Sequence, residues 1–339
     1  MQPGAAARSG RAARGLALLC GCLLAAGLLD LSFGPAGLPF GQILRAIAGW
    51  PVSPMVHTIV LGIRLPRVVL GALVGGGLAL SGAVLQGLFR NPLADPGLIG
   101  VSAGAAFGAV VAIALGVAAA GLWTLPLWAF GGALLATALV YLLAVRHGRT
   151  PVLTLILAGV AVSALFGAGT TAVLTLNIGN TAAQFMLAWL YGSLDGALWR
   201  QDAVLAAFVL PGGLLMVFFA RELNLLATGQ EGAAALGVPV EAAQRILLAL
   251  AALVTAAAVA ASGIIAFVGL MVPHLLRRLI GPDHRLLLPA CLLGGGAFLV
   301  LADLVARVVI APAEINLGVV TAVLGVPFFL YLLRRGGGG

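Results

Sequence analysis

The chain alternates long apolar runs with short polar segments, and this pattern predicts most of its secondary structure. A helix needs about 20 apolar residues to cross the hydrocarbon core of a bilayer. A shorter run over 264–280 contains Pro273 between Gly263 and Gly281, which predicts a short or broken helix. Nine other runs lie near residues 16–33, 65–88, 97–118, 122–145, 151–175, 203–220, 243–262, 285–310 and 316–333. The pattern therefore predicts an all-α polytopic membrane protein with about ten transmembrane helices.

The composition supports this prediction, because charged residues are too few to cover a surface that faces water. Only 8% of the 339 residues are charged, 62% are hydrophobic, and the mean hydropathy is +1.17. We interpret residues 1–339 as a single transmembrane domain with a cytoplasmic tail at 1–15. The first apolar run predicts an uncleaved span, since no small-residue cleavage site follows it before Pro35.

The basic residues exclude one class of protein and argue against another. All 18 basic residues are Arg. A P-loop ATPase needs a Lys that reaches the β- and γ-phosphates, so this chain cannot hydrolyse ATP by that chemistry without a partner. The net charge of +8 does not indicate nucleic-acid binding, because the arginines sit between apolar runs rather than in one patch.

The distribution of arginine predicts the orientation, because cytoplasmic loops carry an excess of positive charge. If the N-terminus lies in the cytoplasm, both termini do, and thirteen arginines fall inside against five outside. The inside set is Arg8, Arg11, Arg14, Arg90, Arg146, Arg149, Arg221, Arg245, Arg277, Arg278, Arg285, Arg334 and Arg335. The outside set is Arg45, Arg64, Arg67, Arg200 and Arg307.

A weak internal repeat links the two halves of the chain. Ser81-Gly82 precedes Pro92, and Ser262-Gly263 precedes Pro273, with ten residues from Gly to Pro in both cases. We expect each pair to end an apolar helix. Five spans would separate these helices, so the two copies would be inverted in the membrane, as in many transporters. Coincidence in a chain rich in Gly and Ala is the alternative.

Two arginines at the predicted outer mouth of a span, Arg64 and Arg67, would form a cationic pad suited to carboxylates. Arg307 would join this pad, and Asp303, one helical turn earlier, would hold it in place. Ordinary interfacial anchoring of a span end is the alternative.

The segment Asn91-Pro92-Leu93-Ala94-Asp95-Pro96-Gly97 should break the helix twice at the inner face. Irregular backbone at membrane depth is tolerated where it is buried in protein or lines a cavity. The segment therefore predicts either a gate or a plain turn.

The longest polar segment between spans, 221–245, should lie on the cytoplasmic side. A short helix near 229–236, stopped by Gly237 and Pro239, would lie along the membrane face. Its small residues would let a partner pack closely, although a plain loop is the alternative. The candidate contact residues are Gln230, Glu231, Gly232, Ala233, Ala234, Leu236 and Gly237.

Four blocks, in order, resemble the FecCD/BtuC-type permeases of ABC importers for iron–siderophores, haem and cobalamin. They are RLPR, SGAVLQGLFRNPLADPGLIGVSAGA, FVGLMVPHLLRRLIGPDHRLLLP and EINLGVVTAVLGVPFFLYLL, and the resemblance runs from about Arg64 to Tyr331.

The resemblance implies a type II importer fold with an inverted repeat, in the bacterial inner membrane. It also implies a second permease chain as a homodimer, two cytoplasmic ATPase subunits that use ATP and Mg, and a periplasmic substrate-binding protein. The permease itself would bind no cofactor and catalyse no reaction.

Residue by residue, the resemblance assigns three roles. Arg64, Arg67 and Arg307 would meet acidic residues on the binding protein. Asn91, Pro92 and Leu93 would belong to the inner gate, and 229–240 would be the coupling helix on the ATPase.

Other classes of protein fit the sequence less well. An ion-coupled secondary transporter normally carries an ionisable residue at mid-membrane, and here the ten acidic residues lie near loops or span ends, apart from Asp303 and Asp30. No nucleophile–base pair or metal-ligand cluster indicates an enzyme. Ferric siderophore or haem is the first substrate prediction and cobalamin the alternative, and the sequence does not separate them.

Overall fold

The structure, a computed structural model, describes residues 5–34, 36–145, 150–311 and 313–336. Within these ranges every regular element is helical. Arg146 and Arg149, which we assigned to the inner side, lie outside the described residues. The α-helices are α1 (Ala5–Ser32), α2 (Phe40–Ile47), α3 (Pro54–His57), α4 (Leu65–Leu88), α5 (Val101–Ala114), α6 (Thr124–Ala144), α7 (Val152–Leu176), α8 (Thr181–Leu190), α9 (Trp199–Phe218), α10 (Ala220–Thr228), α11 (Gln230–Ala235), α12 (Val240–Ser262), α13 (Val268–Ile280), α14 (His284–Val308) and α15 (Leu317–Gly336).

Seven helical stretches in the described part are long and apolar enough to cross a membrane. They are Ala13–Ser32, Pro54–Leu88, Thr124–Ala144, Val152–Leu176, Trp199–Phe218, Val240–Ser262 and His284–Val308. The three remaining predicted spans correspond to the short helices α5 and α13 and to the apolar part of α15, Leu317–Leu332. The chain is thus an all-helical, multi-pass membrane protein, and each predicted span contains a helix.

Helix α4 lies at the centre of the bundle and packs against α14, α12, α13 and α9. From Val74 to Leu88 every residue of α4 is buried. Small residues permit this packing: a Cβ on Gly75 would lie 2.2 Å from the Gly295 carbonyl oxygen, and one on Gly295 would lie 2.3 Å from that of Gly75. Close approach through small residues is the usual way in which membrane helices associate. The centre of the bundle is therefore fixed by backbone contact.

One local prediction is confirmed and extended, and another is wrong. The span predicted over 65–88 coincides with α4, but the helical stretch begins earlier, at Pro54, and is π-helical over Thr58–Arg64. A π-bulge inside a longer helix often marks a functional position. Ser81-Gly82 lies inside α4, whereas Ser262 is the last residue of α12, so the two Ser-Gly pairs occupy different structural positions.

Candidate functional site

Arg67 forms the centre of a charged cluster at the end of the bundle predicted to face outside. Its Nε and Nη2 atoms donate to the two carboxylate oxygens of Asp303 at 2.8 and 2.9 Å. Nη1 donates to Asp195 at 2.5 Å, and Nη2 also donates to Glu314 at 2.9 Å. The guanidinium thus contacts three carboxylates, of which Asp303 is 2% exposed and Asp195 is 62% exposed. Bidentate guanidinium–carboxylate pairs are among the strongest polar contacts in proteins.

Arg64 and Arg307 hold the C-terminal end of α1. Arg64 donates to the carbonyl oxygens of Leu31 and Ala36 at 2.6 and 2.7 Å. Arg307 pairs with the Asp30 carboxylate and donates to Asp303 at 3.2 Å. The last carbonyl groups of a helix lack intrahelical partners, and arginine side chains can supply them. Both arginines are less than 10% exposed, so their described contacts are internal.

The three arginines therefore do not form an open cationic surface in this conformation. The outer cluster balances them with four acidic residues, Asp30, Asp195, Asp303 and Glu314. The expected pairing of Asp303 with Arg307 at one helical turn is present, and Arg67 lies beside it. Contact with a binding protein remains a prediction. Of the three arginines, Arg67 is the one that pairs with a largely exposed carboxylate, that of Asp195. The sequence argument missed Asp195, which lies 128 positions from Arg67 in a loop.

The predicted inner-gate segment is a compact turn between α4 and α5. The side-chain oxygen of Asn91 accepts a hydrogen bond from the backbone N–H of Leu93 at 2.9 Å. The side chain of Asp95 accepts one from the backbone N–H of Gly97 at 2.8 Å. Arg90 has a φ of 51°, which is costly for a residue with a Cβ. Burial raises the pKa of the Asp95 carboxyl, and the Gly97 hydrogen bond opposes that rise. The two predicted helix breaks are thus present, and the turn is held by its own side chains.

An open cavity of about 510 Å³ lies beside this turn. It brings together the ends of four helices, α4, α10, α13 and α14, and its lining includes two arginines, Arg90 and Arg277. On α10, Asn224 donates to Asp283 at 2.7 Å and accepts from the His284 backbone N–H at 2.9 Å. This contact ties α10 to the start of α14. The cavity therefore borders both the gate turn and α10, the helix that precedes the predicted coupling helix.

The predicted coupling helix is present as α11, Gln230–Ala235. Gly237 has a φ of +83°, and the Val238 N–H donates to the Ala233 carbonyl at 3.0 Å, which closes the helix in a Schellman turn. Ala233 is buried against the rest of the protein, whereas Leu236 is 64% exposed. The other candidate residues are exposed as well: Gln230, Glu231, Gly232, Ala234 and Gly237. One side of α11 is thus anchored, and the opposite side is free to contact a partner.

The described residues contain no group of three or more His, Cys, Asp or Glu side chains placed to hold a metal ion. Cys20 and Cys22 are exposed on α1, and Cys291 is buried in α14.

Comparison with known proteins gives a consistent result. The model of the FecCD transport family matches residues 22–335. The cobalamin import system permease of Halobacterium salinarum is 50% identical over 302 residues, which are 88% of this chain and 80% of that protein. The hemin transport system permease of Yersinia pestis is 42% identical over 91% of this chain and 93% of its own length. A vitamin B12 import system permease of Escherichia coli is 42% identical over 84% of this chain and 86% of its own.

A solved structure of similar fold is an inward-facing metal-chelate type ABC transporter. It is 33% identical, with a TM-score of 0.84, and the alignment covers 94% of this chain and 98% of that one. The sequence match extends over nearly the whole chain and agrees with the match in structure. The chain therefore belongs to the FecCD transport family of ABC-importer permeases.

Proposed function

We propose that this permease forms the transmembrane pathway of an importer for a metal tetrapyrrole, with cobalamin as the first candidate and haem as the second. The observation that carries this proposal is the 50% identity to a cobalamin import permease over 88% of the chain. The 42% identity to a hemin permease supports the second candidate. Ferric siderophore, which the sequence motifs alone favoured together with haem, has less support than either.

The proposed complex contains two copies of this chain in the inner membrane, with both termini in the cytoplasm. Two cytoplasmic ATPase subunits use ATP and Mg, and a periplasmic binding protein delivers the cargo. The exposed side of α11 supports ATPase contact, because its small residues let a partner pack closely. Its buried side is anchored on the permease, so a movement of the ATPase would be passed to the permease. The outer cluster supports binding-protein contact through Arg67, whose partner Asp195 is largely exposed.

The gate turn would act at the opposite end of the pathway from the outer cluster. It lies between the central helix α4 and the short helix α5 and borders the 510 Å³ cavity. Motion of α10 and α11 would reach it through the surfaces that line this cavity. A wide pathway between two permease copies suits a bulky chelate, and the exposed apolar side chains of α15 are available for pairing or for lipid.

The substrate proposal is tested by uptake in cells that lack this chain, with and without the gene restored. Radiolabelled cobalamin, haemin and a ferric siderophore are supplied separately at equal concentration. We expect restoration to recover cobalamin uptake. Recovery of haemin uptake alone would reverse the order of the two candidates. Recovery of siderophore uptake alone would contradict a tetrapyrrole cargo and leave the importer intact. Recovery of none would contradict the proposed class of cargo.

A further inference from the structure

Gln86 is a buried polar residue at the junction between the gate turn and α13. It lies in the last turn of α4 and is 3% exposed. Its Nε2 atom donates to three carbonyl oxygens, those of Ala94 at 3.3 Å, Gly269 at 3.2 Å and Leu270 at 3.1 Å. Ala94 belongs to the gate turn, and the other two carbonyls belong to the first turn of α13. One amide therefore joins the two segments.

Pro273 explains why α13 needs this amide. In an α-helix the carbonyl of Gly269 would accept from the N–H of the residue four positions later. That residue is Pro273, which has no N–H, so the Gly269 carbonyl lacks its usual intrahelical donor. A buried carbonyl without a partner destabilises the folded state. Gln86 supplies the missing donor from a different helix.

The backbones of α4 and α13 are closely packed at this junction. A Cβ on Gly82 would lie 1.9 Å from the Gly269 carbonyl oxygen, and a Cβ on Gly269 would lie 2.6 Å from Cδ of Pro96. Helix α4, the segment after the gate turn and the start of α13 are thus in direct contact. A change in the position of the turn relative to α13 must alter the hydrogen bonds of Gln86.

Arg277 fixes the direction in which this amide points. Its Nη1 atom donates to Oε1 of Gln86 at 2.9 Å, which leaves the NH₂ group to face the three carbonyls. Arg277 forms no ion pair with an acidic residue in the described part of the chain. It also lines the cavity that α10 and the gate turn border. Arg277 therefore connects the cavity to the junction.

We propose that Gln86 is a positioning residue of the inner gate, whose amide holds the gate turn on α13, with Arg277 fixing the orientation of that amide. This inference rests on the proposed importer function. Two N–H groups serve three acceptors at 3.1–3.3 Å, so each bond is individually weak. The junction holds the turn in the described conformation and can release it when α10 and α11 move.

The test uses Gln86→Glu, which keeps an oxygen for Arg277 and replaces the donor with an oxygen that faces three carbonyls. The reporter is Leu93→Cys in the full-length protein, with Cys20 and Cys22 changed to Ala. Its reaction with a membrane-impermeant maleimide is timed in inside-out vesicles. We expect Gln86→Glu to accelerate labelling about tenfold, the effect of losing one to two hydrogen bonds. Arg277→Gln, which retains the donor, should give a smaller acceleration.

Gln244→Glu is the matched control, because Gln244 is also buried and its side-chain oxygen accepts no hydrogen bond in the described part of the chain. Its labelling rate should equal that of the parent protein. The transport yield per ATP hydrolysed should fall in Gln86→Glu and stay constant in the control. Equal labelling rates in the parent protein, Gln86→Glu and Gln244→Glu would overturn the inference. The labelling needs no cargo or ATPase, so it is independent of uptake. Absence of uptake in the wild-type protein would instead overturn the proposed function.

Discussion

Replacing Asp303 by Asn is expected to lower the stability of the protein by about 3–5 kcal/mol, the usual cost of removing one partner from a buried charge pair. The Asp303 carboxylate is 2% exposed and accepts from both Arg67 and Arg307. Asn preserves the shape of the side chain but leaves two guanidinium groups with less compensation. The measurement is the thermal-unfolding midpoint of the purified protein in detergent, together with the yield of monodisperse protein.

Asp195→Asn is the control for this prediction, because Asp195 also pairs with Arg67 but is 62% exposed. Exposed pairs contribute only about 0–1 kcal/mol, so the midpoint should change little. Asn180→Lys changes the net charge by the same amount and lies at the exposed start of α8, where its side chain caps no helix. An Asp303→Asn protein as stable as these two would show that the outer cluster does not hold α1, α4 and α14 together.

The second large effect is expected at the coupling helix. Leu236→Arg should strongly weaken association with the ATPase subunits while the permease still folds. Leu236 is 64% exposed, and substitutions at such positions change stability by roughly 0.5 kcal/mol or less. A charged side chain in the centre of an interface must be desolvated, and central contacts are worth about 2 kcal/mol or more. We expect at least about thirtyfold weaker binding in a pull-down from reconstituted membranes.

Arg334→Glu controls for a change of charge on the same predicted side of the membrane, since Arg334 is exposed near the end of α15. Its complex should remain intact. A Leu236→Arg permease that retains the ATPase and full coupled transport would remove α11 from the interface.

Hydrophobic pattern predicted the helices better than it predicted their ends. The run after Arg64 was correct as a span, but the helical stretch begins earlier, at Pro54. Pro66 does not end this stretch, because it lies at the start of α4, directly after the π-helical turn. The short amphipathic helix α2 packs Ile43 and Ala46 into a small core of its own. Elements of that kind carry no 20-residue signal and cannot be found by counting apolar residues.

The candidate site was predictable in its residue types but not in its pairings. Asp303 and Arg307 share a helix face, so their contact follows from spacing alone. The contacts of Arg67 with Asp195 and Glu314 join residues 128 and 247 positions apart and depend on how the helices pack. The role of Gln86 had a usable signal in the sequence. A polar side chain in the last turn of an apolar helix requires a hydrogen-bonding partner, and a proline in a second helix leaves a carbonyl without its usual donor. Linking the two required the contact between α4 and α13.

The measurement that tests the importer function most directly is uptake of radiolabelled cobalamin into proteoliposomes that contain the permease, its ATPase and its binding protein. ATP is enclosed on the ATPase side, and ion gradients are collapsed with ionophores in a parallel sample. We expect uptake to require ATP and the binding protein, and to persist when the gradients are removed. Uptake that proceeds without ATP and stops when an ion gradient is collapsed would contradict an ATP-driven importer and indicate an ion-coupled secondary transporter.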